Sequence, residues 1–224
     1  MNVTVRNFMN RNFDKYKMEQ LTDIQINELI DKSLEKGLSY RTFRNLLNDL
    51  IEQGSTTGDI KSENLINYTM LNGRRFKRWE KTLKMTEEYQ KYFRSIQKDM
   101  DWLVITESWC GDAAHVMPAL QKIAEENEQI DMKVVLRDEN PELMDQFLTN
   151  NSQSIPKLIV RDKRTKEIMF TYGPRPSVAT QLVDDYKEMH GSLTPEFKED
   201  LQRWYNKDKG QTVFNDLVAE FKSL

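Results

Sequence analysis

The sequence has a single cysteine, Cys110, and two histidines, His115 and His190, in 224 residues. One thiol closes no internal disulfide, and a structural zinc held by four cysteines is excluded. Two histidines leave little for any other metal site, so neither a metal nor a cofactor is expected. Long apolar runs are also missing. No stretch approaches the roughly 18 apolar residues of a membrane span, so no membrane partner is expected. The opening segment MNVTVRNFMNRNFDKYK is polar and lacks the apolar core of a secretory signal, which makes the cytoplasm the expected location. Nor is there an excess of basic charge. The 33 Lys and Arg against 36 Asp and Glu give a net charge of -3 and a pI of about 5.6. That balance argues against nucleic acid as a partner.

What is present is a charged, helix-rich globular chain, 31% charged and 38% hydrophobic. Leu21, Ile24, Leu29, Ile30 and Leu34 recur at helical spacing and stop at Gly37. Tyr40, Phe43, Leu46, Leu47, Leu50 and Ile51 repeat the pattern up to Gly54. Gly54-Ser55-Thr56-Thr57-Gly58 reads as a loop. A long helical stretch from Ser62 to Ile96 follows, with a break expected at Asn72-Gly73. The segment Arg74 to Lys84 is the one basic cluster. Phe76, Trp79 and Leu83 within it hold helical spacing, which reads as an inward apolar stripe under a solvated basic face.

The texture changes at Asp101. Trp102 to Thr106 is a short apolar run rich in β-branched residues, a buried strand. A helix from Ala113 to Asn127, a strand over Met132–Leu136 and a short helix from Pro141 to Leu148 follow. Lys157–Val160 and Glu167–Tyr172 form two strands joined by a charged turn, then a helix runs to His190. The first two strands, separated by a helix, form a parallel pair. The last two form an antiparallel hairpin. Helices over Thr194–Asp208 and Thr212–Lys222 close the chain. The expected division is a helical region over 1–98 packed on the core, an α/β unit over 99–190, and a helical extension over 191–224.

Three landmarks sit on that element order: Trp109-Cys110-Gly111-Asp112-Ala113 after the first strand, Ser154-Ile155-Pro156 entering the third strand, and Gly173 after the hairpin. With Pro118 inside the helix that follows the cysteine, they resemble the thioredoxin superfamily over about ninety residues. The resemblance implies a three-layer α/β fold with a mixed sheet. It implies a cis proline at Pro156, beside the cysteine, with Ile155 offering backbone atoms to an extended peptide or thiol substrate. It makes Cys110 the nucleophile and Trp109, Gly111, Asp112, Ile155 and Pro156 the substrate-binding surface.

Placement at a helix N-terminus, where free N–H groups favour negative charge, lowers a thiol pKa and makes Cys110 a candidate thiolate, expected below 8. Asp112 reads as a cap for that helix, and its charge opposes the thiolate. His115, on the first turn, is a candidate proton donor, with an exposed histidine without a role as the alternative. Glu107 reads as solvated. The sequence also departs from the family. Ala113 stands where two-cysteine members carry the second cysteine, and Val104 stands where many thioredoxins carry a buried acid. A dithiol cycle within one molecule is therefore excluded. The expected function is monothiol exchange through Cys110. The partner is a disulfide-containing protein or a low-molecular-weight thiol, and the resolving thiol is external. The alternative is a binding or scaffold module that keeps the fold without turnover.

Overall fold

The computed structural model describes residues 21–224; the polar opening segment lies outside them. Thirteen elements follow in the order α1 (Asp23–Lys36), α2 (Tyr40–Glu52), α3 (Glu63–Thr82), α4 (Glu87–Arg94), β1 (Met100–Thr106), α5 (Ala113–Glu126), β2 (Ile130–Leu136), α6 (Pro141–Gln146), β3 (Lys157–Asp162), β4 (Ile168–Tyr172), α7 (Ser177–His190), α8 (Pro195–Asp208) and α9 (Gln211–Lys222). The sheet order is β2-β1-β3-β4. β1 runs parallel to β2 and antiparallel to β3, and β3 with β4 is an antiparallel hairpin. This is the mixed sheet with flanking helices of an α/β thioredoxin-like fold.

Every residue of β1 and of β3 is buried, as expected for inner strands covered on both faces. β2 is an edge, and its outer side is partly satisfied by the chain between α1 and α2. Leu38 and Val134 exchange both backbone hydrogen bonds at 2.8 Å. Ile30, Phe43, Leu47, Phe76 and Trp79 share one core with Trp102, Leu103 and Ile105 of β1. A buried guanidinium adds a polar tie. Arg161 of β3 pairs with Asp101 at 2.8 Å and with Asp31 of α1 at 2.6 Å. From the other end of the chain, Val213, Phe214 and Leu217 of α9 enter the same core.

The expected break at Asn72-Gly73 does not occur. α3 runs unbroken through both residues and ends at Thr82, with Leu83 as its C-cap. Gly73 marks a close approach of α3 to α2: a Cβ on it would lie 2.3 Å from Ile51 Cδ1, the movable end of that side chain. The Asn72 amide is turned away from its own backbone and donates to the Ser108 carbonyl at 2.9 Å. Phe76, Trp79 and Leu83 are buried, as the spacing predicts.

Among the described residues no helix is long and apolar enough to cross a membrane, and no group of three His, Cys, Asp or Glu could hold a metal ion.

Candidate functional site

β1 delivers Glu107 to Asp112 into a tight turn at the start of α5, with Cys110 N–H bonded to the Glu107 carbonyl at 3.1 Å. The turn is braced from behind by a buried hydroxyl cluster. Ser108 Oγ lies 2.9 Å from Thr69 Oγ1, 3.1 Å from both Thr56 Oγ1 and Thr57 Oγ1, and 3.0 Å from the Thr57 N–H. A hydroxyl has one proton and two lone pairs, so the cluster shares its bonds among more contacts than any one oxygen can fill. The loop from Ser55 to Gly58 and α3 are thereby fastened to the turn.

Trp109, Cys110, Gly111, Asp112 and Ile155 line one open cavity of about 410 Å³. Pro156 lies behind Ile155, buried, with a cis Ile155–Pro156 bond. The Cys110 thiol donates to the Ile155 carbonyl at 3.2 Å. The third landmark explains itself here. Gly173 has φ +108°, and a Cβ on it would stand 2.2 Å from the Pro156 carbonyl oxygen. Only glycine tolerates both the angle and the approach.

The electrostatics differ from the sequence expectation. Burial, followed by the Asp112 charge, pushes the Cys110 thiol up to about 12; backbone N–H groups of Ala113 and Asp112 favour the thiolate without overcoming that. Helix placement lowers a pKa only to the extent that the sulfur stays solvated, and Cys110 is buried. Asp112 stands at the N-cap position but makes no capping bond. Its carboxylate instead pairs with Arg175 at 2.7 Å and accepts from the Tyr205 hydroxyl at 2.9 Å.

His115 is not placed as a proton donor. It is buried inside α5, outside the cavity. Trp79 Nε1–H donates to its Nδ1 at 2.7 Å, which leaves the proton on Nε2 facing Gln202 Oε1 at 2.8 Å. The ring stacks on Tyr205 with centroids 4.2 Å apart. Burial pulls its pKa down to about 3, so the ring is neutral at neutral pH. Glu107 is also not solvated. It is 1% exposed, one oxygen accepts the Asp138 N–H at 2.9 Å, and burial raises its pKa. Both residues are covered by segments distant in sequence, which no local pattern announces.

Two arginines outside the cysteine turn also reach the site. Arg137 lies over the Trp109 ring at 4.9 Å and pairs with Asp138 at 2.8 Å. Arg75 is the one member of the basic segment that turns toward the turn. It donates to Asn72 at 3.1 Å, and its Nη1 comes close enough to Gly111 to meet a Cβ at 3.4 Å. The spacing of Leu65, Tyr68, Asn72 and Arg75 was the available clue, since it puts all four on one face of α3.

Comparison with known proteins agrees with the fold. A family model described as thioredoxin matches residues 58–187, more than half of the chain, so the chain belongs to the thioredoxin family. The match begins at Gly58 and takes in α3 and α4; α8 and α9 lie beyond it. No curated protein matches the chain. A crystal structure of an HIV epitope-scaffold is similar at 13% identity and a TM-score of 0.59, over 87% of this chain and 98% of that one. A protein of unknown function from Pseudomonas aeruginosa is similar at 16% identity and a TM-score of 0.52, over 70% of this chain and 85% of that one. At these identities both show the fold alone.

Proposed function

We propose that the chain is a cytoplasmic monothiol oxidoreductase in which Cys110 performs thiol–disulfide exchange. The observation that carries this reading is the placement of the Cys110 thiol. It sits on the wall of an open cavity, 3.2 Å from the carbonyl of the residue preceding the cis proline. The deprotonated sulfur attacks one sulfur of a bound disulfide. A bond forms to Cys110, and the other half leaves as a thiolate that takes up the proton. An external thiolate then attacks the mixed disulfide, releases Cys110 and becomes oxidised in its place. Ala113 and the absence of a second cysteine make the external thiol obligatory.

Trp109, Gly111, Asp112 and Ile155 form the surface against which the disulfide lies, and the buried Pro156 holds Ile155 from behind. In this reading residues 99–190 carry the exchange site, while the flanking segments add Leu65 and Tyr68 to its wall and brace its turn through Asn72 and Tyr205. The test is intact mass spectrometry of the chain purified without reductant. A mass increment on Cys110 that added thiol removes supports the reading. A Cys110 that stays unmodified after incubation with an oxidised small thiol at pH 9 rejects it.

The raised thiol pKa supports a second reading, a binding module that keeps the fold without turnover. At about 12, only about one Cys110 in 10⁵ is ionised at pH 7. Under this reading Cys110→Ser retains every function of the chain in cells.

A further inference from the structure

We propose that a second cavity, between the end of α3 and the junction of α8 with α9, binds a small phosphorylated polyanion. It has a volume of about 610 Å³, within the range of small-molecule sites. Arg78 and Lys84 line it from one side and Lys207 and Lys209 from the other. None of these four cations takes part in a salt bridge among the described residues. The one carboxylate on the wall, Asp208, accepts the Thr212 N–H and hydroxyl and keeps its charge, so the lining carries four cations against one anion. Trp79 contributes an apolar surface, with its N–H already committed to His115.

Four cations against one carboxylate give this concavity an excess of three positive charges, and in a chain of net charge -3 this is not a by-product of a basic composition. A multiply charged anion offsets that excess. Phosphate oxygens suit both ammonium and guanidinium groups. The concave shape and the acidic whole favour a compact ligand over a nucleic-acid strand, which needs a basic track.

The test is calorimetric titration of the full chain with inorganic pyrophosphate and, separately, with ATP. Saturable binding that weakens about tenfold in the exposed pair Lys84→Ala with Lys207→Ala, and that falls steeply with added salt, is the expected result. The control pair Lys187→Ala with Lys198→Ala, on exposed positions elsewhere, leaves binding unchanged. Saturable binding of either ligand with that dependence on Lys84 and Lys207 supports the proposal. Absence of saturable binding by either ligand, equal binding by the Lys84 and Lys207 variant, or binding of an RNA oligonucleotide without pyrophosphate overturns it.

Discussion

The Tyr205 hydroxyl donates to Asp112 Oδ1 at 2.9 Å, joining α8 to the turn that holds Cys110. The same ring stacks on His115, so one residue from beyond the family match supports both the carboxylate and the imidazole. Tyr205→Phe keeps the stack and removes the bond. A hydrogen bond to a charged group contributes about 1.5–3 kcal/mol, and the variant should lose about that much stability in urea unfolding. An unchanged unfolding midpoint contradicts the role assigned to the bond.

Asp112 raises the thiol pKa by like charge. Asp112→Asn keeps an acceptor for Tyr205 and removes the charge. The thiol pKa should fall by about one unit and alkylation of Cys110 at pH 7.5 should quicken about tenfold, although Arg175 loses its ion pair and the fold is weakened. Alkylation at the wild-type rate in the folded variant contradicts this.

His115 gives a pH dependence with a definite sign. Its folded pKa, about 3, is below the usual 6.5. Between those values the unfolded chain binds a proton that the folded chain refuses, so stability rises with pH there and is lost as pH falls from 6.5 toward 3. The slope is about 1.4 kcal/mol per pH unit from this one group. Unfolding free energies measured from pH 7 to pH 5 should therefore fall more steeply in the wild type than in His115→Gln. Parallel profiles contradict a buried neutral imidazole.

Gly173→Ala combines a positive φ with a Cβ placed 2.2 Å from a backbone oxygen that has no side-chain freedom to move. The expected cost is about 3 kcal/mol or more, with Cys110 alkylation altered because the Pro156 loop must shift. A variant as stable as the wild type contradicts the assigned contact. Gly73→Ala, whose Cβ meets only the mobile end of Ile51, should be far milder, within about 1 kcal/mol of neutral.

These contrasts show what the chain makes legible. The β1 run, the hairpin and the Trp109 to Ala113 turn are local patterns, and they suffice for the parallel β1–β2 pair, the β3–β4 hairpin and the resemblance to the thioredoxin-like fold. Gly173 was visible as a landmark, but its reason, the Pro156 carbonyl, is a contact between residues far apart in sequence. Gly73 misled because glycine signals a helix end in isolation and a close helix approach in a packed molecule. Glu107 and His115 read as accessible because nothing beside them in sequence reveals what covers them: for His115, Trp79 on α3 and Gln202 and Tyr205 on α8. The helix placement that favours the Cys110 thiolate is local, whereas the burial that opposes it is global.

The most direct test of the account follows the reduction of a small mixed disulfide by an external thiol, catalysed by the full chain, from pH 7 to pH 9. A thiol with pKa near 12 predicts a catalysed rate that climbs about tenfold per pH unit without a plateau, once the ionisation of the external thiol is divided out, and that vanishes in Cys110→Ser. Equal rates for the wild type and Cys110→Ser contradict the exchange role of Cys110.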